Sequence, residues 1–246
     1  MGGFPSGPLE LLRTKEILLR YMQPAPLDVL DVGGGAGVHA SWLAERGDRV
    51  HLIDLVPLHV EQARQAIPSI TAEVGDARQL RQPDDSVDVV LLLGPLYHLT
   101  DRDERLLALT EARRVLRDGG LLFAAAISRF AALLDLLVRL DRLHKPEVLA
   151  TVSACVKSGV FDGASAGSFT TAYFHLPREL DHELAEAGFV DSRTLNVEGP
   201  GFLISDFAER WADETRREAI LAAARLMEEE PETLGASSHL LAIAST

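Results

Sequence analysis

The chain has 246 residues, 47% of them apolar and 25% charged, the proportions of a packed globular protein. A formal net charge of −13 argues against a phosphate-backbone partner, and the single cysteine, Cys155, excludes an intrachain disulfide and a multi-cysteine metal centre. The uninterrupted apolar runs Val89–Leu93 and Leu121–Ile127 fall far short of the roughly 20 residues that a bilayer span needs.

Met1–Pro8 is rich in Gly and Pro and lacks the charged start and apolar stretch of a signal peptide. Met1-Gly2 with Ser6 fits the loose N-myristoylation pattern, but no basic cluster follows to supply a second anchoring signal. The expected location is the cytoplasm, with no membrane and no nucleic-acid partner. Residues 9–22 have helical spacing, and Pro24 and Pro26 stop that helix. Leu27–Val32 reads as a first strand that runs into Gly33-Gly34-Gly35-Ala36-Gly37. A helix follows at 38–46, with Gly47 as its stop. Arg49–Ile53 is a second strand ending at Asp54, and Pro57 opens the next helix. Ile70–Val74 is a third strand, and Val87–Leu93 is a fourth, apolar enough to be buried on both faces.

Thr100 with Asp103 resembles a capping box for a helix ending near Arg117. Asp118-Gly119-Gly120 reads as a turn into a fifth strand, Leu121–Ile127. The alternation of strand and helix breaks from Ser128 to Thr170. Residues 129–144 have helical spacing, with an apolar stripe expected to cover the core, and a Gly/Ser-rich stretch follows at 158–168. This region, 128–175, reads as a cap or lid inserted into a single domain spanning 1–246. A helix at 177–187, a strand at 189–197, a charged helix at 206–229 and a last strand at 240–244 complete the chain. The fold class is α/β with a mostly parallel sheet flanked by helices.

The chemistry concentrates at strand ends. A strand feeding a tight glycine turn and a helix start lets a ligand touch backbone N–H groups. Asp54, at the end of the second strand, stands where a carboxylate would accept both ribose hydroxyls. Gly75-Asp76-Ala77 ends the third strand, where a side-chain oxygen and a backbone N–H would read adenine. A dinucleotide fingerprint G-x-G-x-x-G/A fails from Gly33, because Val38 takes the third position. A shifted match from Gly35 through Gly37 to Ala40 exists, two residues deeper in the turn. The pattern acidic-x-Gly-x-Gly-x-Gly is met by Asp31, Gly33, Gly35 and Gly37.

These residues resemble the class I S-adenosylmethionine-dependent methyltransferases, and the run Gly94-Pro95-Leu96-Tyr97-His98-Leu99 is similar to a bacterial subgroup acting on small molecules. The resemblance covers about Leu27 to Ile127 and implies a Rossmann-like sheet of seven strands with the last antiparallel. It implies S-adenosylmethionine as cofactor, held by Asp31, Gly33, Gly35, Gly37, Asp54, Leu55, Asp76, Ala77 and Leu93. It places Leu93–Leu99 next to the transferable methyl group. Gly94 stands where enzymes that methylate base amines carry Asn or Asp, which weighs against that substrate class. No acidic cluster at this strand end fits a magnesium-dependent catechol enzyme, so no metal is expected. Methyl transfer to an O, N or S atom of a small acceptor is the expected reaction.

His98, whose ordinary pKa is near neutrality, is the candidate general base, with Tyr97 and His175 as further candidate catalytic residues. Tyr21 is a candidate cover for the cofactor and Arg129 a candidate anchor for an acidic substrate group. Two other readings stay open. A nicotinamide-dependent oxidoreductase would use the shifted glycine match. A non-catalytic S-adenosylmethionine-binding protein would explain the glycines and Asp76 equally well.

Overall fold

The computed structural model describes residues 6–163 and 171–246. The lipidation pattern at Met1-Gly2 and part of the Gly/Ser-rich stretch lie outside those residues. The chain divides into two compact units. One comprises Leu18–Ala125, Asp181–Arg193 and Ala242–Thr246. The other takes its described residues from Met1–Ile17, Ala126–Leu180 and Thr194–Leu241.

The first unit is built on parallel strands β1 (Asp28–Val32), β2 (Arg49–Asp54), β3 (Thr71–Val74), β4 (Val87–Leu92) and the start of β5 (Leu116–Ser128), in the order β3-β2-β1-β4-β5. The order reverses at β1 and β4, which opens a crevice beyond their carboxyl ends. Between the strands run α2 (Val38–Arg46), α3 (Pro57–Ala66), the single turn α4 (Pro95–His98) and α5 (Arg102–Val115). Local chemistry sets these boundaries. Gly47 closes α2 at φ 100° and returns its N–H to Ala44 and Leu43 carbonyls, and Pro57 opens α3 where no N–H is needed. Val89–Leu92 are buried throughout, as a central strand requires.

The strand β9 (His239–Ser245) pairs with β5, and β8 (Val190–Asn196) pairs with β9. Ser128 N–H donates to the Ser238 carbonyl, while Thr246 N–H donates to that of Gly120. Residue numbers fall along one strand as they rise along the other, so β9 runs antiparallel to β5, as expected of the last strand.

Two expectations in this unit change. The N-cap of α5 is Asp101, whose carboxylate accepts from the N–H groups of Asp103 and Glu104, rather than Thr100. The expected turn at Asp118–Gly120 lies inside β5, because the register against β4 shifts between Val87 and Val89 and Gly119, at φ +73°, absorbs the bulge.

In the other unit, residues 129–144 do not form one helix. A short α6 (Ala131–Leu134) passes into a π-turn at Asp135–Arg139, closed by the Leu140 N–H to the Asp135 carbonyl. The extra residue in that turn rotates the stripe outward, leaving Leu137, Val138 and Leu140 exposed instead of over the core. The region also holds α7 (Pro146–Ser158), β6 (Val160–Phe161) and β7 (Ala172–His175). Strand β7 is parallel to the end of β5 and antiparallel to β6. Val148, Val152 and Cys155 of α7 pack with Phe161 and Phe174. Burial pushes the Cys155 thiol up to about 11, which makes it an unreactive core group.

The expected helix at 177–187 is α8 (Pro177–Glu186). The expected charged helix at 206–229 is two helices, α9 (Phe207–Ala212) and α10 (Glu214–Met227), because Asp213 caps the second through the Arg216 N–H. Phe207 packs inward with Leu9 and Leu221 and stacks on Trp211. The leading helix α1 (Gly7–Tyr21) carries Arg13, fully buried and paired with Glu228. No described helix is long and apolar enough to cross a membrane.

Candidate functional site

Four strand ends of the first unit meet at one cavity of about 470 Å³. After β1 the chain turns through Gly33, Gly35 and Gly37, all at positive φ. Gly33 and Gly34 donate their N–H groups to the Ile53 carbonyl at 2.7 and 3.3 Å, which pins the turn to the end of β2. A methyl group on Gly33 would meet the Pro95 ring at 2.7 Å, and one on Gly37 would meet Ile67 at 2.6 Å. At Gly35 a methyl group would meet nothing within 4 Å, because this residue faces the open cavity. Helix α2 starts on Gly37 with no side-chain cap, so its first N–H groups are available to a ligand.

These differences predict different losses. Gly37→Ala is expected to cost about 2–4 kcal/mol of stability, from a strained backbone and an overpacked contact. Gly35→Ala is expected to cost about 1–2 kcal/mol for its left-handed backbone alone, while a methyl group in the cavity weakens ligand binding. Denaturant unfolding and ligand titration of the two variants separate the effects; equal stability losses would contradict the assignment.

Asp54, at the end of β2, is buried. Its Oδ2 accepts the Gly35 N–H at 2.9 Å, and its Oδ1 accepts the Val56 N–H at 2.8 Å and lies 3.1 Å from His59 Nδ1. Asp76, after β3, is gripped by Arg78, which donates from Nε to Oδ1 at 3.0 Å and from Nη2 to Oδ2 at 2.6 Å. That hydrogen-bonded guanidinium holds the Asp76 carboxyl below its ordinary range. Arg78 also pairs with Glu104. Leu55, Val56, Ala77, Pro95 and Leu99 give the cavity apolar walls.

Asp31 stands behind the loop rather than in the cavity. It is buried, and its Oδ2 has no hydrogen-bond partner among the described residues. Burial, and then the charge of Asp54, push its carboxyl up to about 7. A methyl group on Gly34 would meet that Oδ2 at 2.6 Å, so the loop can close over the carboxyl only with glycine there.

Beyond β4, Pro95 opens α4 and turns Tyr97 and His98 to the cavity, their rings 4.8 Å apart. Burial holds the His98 imidazole below its ordinary pKa, against the opposing charge of Asp54. A neutral imidazole at physiological pH can accept a proton.

The structure therefore brings Gly33, Gly35, Asp54, Leu55, Asp76, Ala77, Tyr97 and His98 to one cavity. Gly37 sits at the start of α2 and Leu93 just after β4, and neither is among the cavity's lining residues. His175 is fully buried at the end of β7, its ring edge-on to Tyr173, and does not line the cavity. The Tyr21 hydroxyl accepts from Arg193, and Tyr21 does not line the cavity either. Arg129 is buried, paired with Glu179 and donating to the Phe174 carbonyl, so its charge is committed within its own unit. Sequence reasoning missed Val56, His59 and Arg78. The position of His59 in the first turn of the helix that follows Asp54 was legible, but its contact with Asp54 was not.

The residues present fit an adenosyl cofactor. Backbone N–H groups at an open glycine, a buried carboxylate at a second strand end, another at a third and apolar walls match a nucleoside with a polar tail.

A family described as "Methyltransferase domain" matches residues 29–120. An uncharacterized methyltransferase of Mycobacterium tuberculosis is 38% identical over 92 residues, covering 37% of this chain and 36% of the relative. A ubiquinone/menaquinone biosynthesis C-methyltransferase of Acidiphilium cryptum is 38% identical over 125 residues, covering 47% of this chain and 48% of the relative. The chain thus spans less than half the length of either relative. A solved methyltransferase structure from Methanosarcina mazei superposes over 94% of this chain and 96% of its own with a TM-score of 0.63 at 19% identity, a likeness of fold. Residues 29–120 thus match a methyltransferase domain, and the sheet order is that of a solved S-adenosylmethionine-dependent methyltransferase.

Proposed function

We propose that this protein transfers the methyl group of S-adenosylmethionine to an O, N or S atom of a small molecule, and that it works in the cytoplasm. The observation that carries the reading is the convergence of four strand ends, bearing Gly35, Asp54, Asp76 and His98, on one cavity. When bound, the cofactor supplies a methyl group already activated by a sulfonium. The chain's own task is then to bind, align and exclude water. Gly33 and Gly35 admit the polar tail against the backbone. Asp54 and Asp76 hold the two ends of the nucleoside, and Leu55, Ala77 and Leu99 keep water from its faces. Tyr97 packs on the acceptor side, and His98 takes the proton that the acceptor atom loses. The C-methyltransferase named among the relatives supports a small-molecule acceptor.

The test is transfer of labelled methyl from S-adenosylmethionine to fractionated small metabolites. Label appearing in a small product supports the reading, and label confined to protein or nucleic acid contradicts it. Once an acceptor is found, His98→Ala is expected to lower kcat by roughly 10²–10⁴-fold with little change in cofactor affinity. The sign of the pH dependence follows from the neutral base. Activity falls as acid protonates His98, and its lowered pKa puts that limb of the kcat/KM profile below about 6.5. An unchanged profile in the variant would remove the base role.

A further inference from the structure

Asp54 offers fewer free acceptor positions than its place suggests. A carboxylate oxygen has two lone-pair sites and donates nothing. Oδ1 is filled twice, by the Val56 N–H at 2.8 Å and by His59 Nδ1 at 3.1 Å. Because a carboxylate only accepts, that ring nitrogen carries its proton toward Asp54. Oδ2 is filled once, by the Gly35 N–H at 2.9 Å, which leaves one position. His59 lies on the first turn of α3 and lines the same cavity, with a side chain 39% exposed.

We propose that His59 is a positioning residue for the cofactor's ribose. Its Nδ1–H fixes the Asp54 carboxylate so that Oδ2 presents a single acceptor site, and Asp54 then reads one ribose hydroxyl rather than two. The inference rests on the reading of the cavity as an S-adenosylmethionine site and assigns His59 a role within it. His59 acts through Asp54, so its effect depends on the hydroxyl that Asp54 reads.

The test is calorimetric titration of the native protein, His59→Phe and His59→Asn with S-adenosylhomocysteine, its 2′-deoxy and 3′-deoxy analogues and the 2′,3′-dideoxy analogue. Native protein is expected to lose roughly tenfold in affinity for one monodeoxy analogue and little for the other. His59→Phe is expected to bind S-adenosylhomocysteine roughly tenfold more weakly, and His59→Asn, which keeps a donor near Nδ1, to recover most of the loss. For the dideoxy analogue the three proteins should bind alike. Equal weakening of the dideoxy analogue by His59→Phe would reduce His59 to packing, and equal loss for both monodeoxy analogues would overturn the single-site geometry. Failure of the native protein to bind S-adenosylhomocysteine at all would instead overturn the reading of the cavity, whatever the variants did.

Discussion

Asp54→Ala is expected to weaken binding of S-adenosylmethionine and S-adenosylhomocysteine by about 100-fold. Two effects add. A hydroxyl loses a charged acceptor, which is worth about 1.5–3 kcal/mol. The N–H groups of Gly35 and Val56 also lose the carboxylate that aims them, at 2.9 and 2.8 Å, so the glycine loop and the start of α3 lose their common anchor. Asp54→Asn keeps one acceptor oxygen and should fall only about tenfold. Calorimetric titration reads both. Near-native affinity in the alanine variant would mean that the ribose is held elsewhere.

The largest stability loss is expected at Arg105. This side chain of α5 is 1% exposed and meets Glu183 of α8, itself buried, with Nη2 at 2.7 Å and Nε at 3.0 Å. Its Nη1 donates to the carbonyls of Leu99 and Thr100 at 2.9 and 3.1 Å. Arg105→Ala leaves the Glu183 carboxylate buried without its guanidinium, at a cost of about 3–5 kcal/mol. For a chain of this size that corresponds to a fall in Tm of roughly 10 °C. The paired change Arg105→Met with Glu183→Leu should recover most of the loss, since replacing both charges removes the desolvation cost. The carbonyls of Leu99 and Thr100 follow His98 directly, so the single variant should also loosen the turn that carries Tyr97 and His98. Melting curves of the single and double variants check this, and a double variant no better than the single one would contradict it.

How much of this was legible in the sequence follows from how local each signal is. The glycine loop, Asp54 and Asp76 sit at strand ends that are fixed by runs of apolar residues and by Gly47 and Pro57, all within a few positions of the site. Residues 128–175 were less legible because their helices depend on packing. α7 does carry its own marks, Pro146 at the start and Gly159 at φ 83° after the end, with Val148, Val152 and Cys155 on one face. They were masked by the breakdown of alternation around them. The π-turn at Asp135–Arg139 has no sequence period that distinguishes it from a helix, so the stripe through Leu137 read as buried. The grip of His59 on Asp54 was out of reach for a different reason. It depends on how α3 rotates relative to the end of β2, and spacing alone does not specify that angle. Arg129 misled because a cation at a strand end looks like a ligand contact until its partner, Glu179, is brought to it by the fold.

The central claim is the identity of the cofactor, and calorimetric titration of the native protein with S-adenosylhomocysteine and NADH tests it most directly. The account predicts a saturable one-to-one isotherm for S-adenosylhomocysteine and none for NADH. Saturable binding of NADH with no binding of S-adenosylhomocysteine would contradict it and would favour the shifted glycine match at Gly35, Gly37 and Ala40.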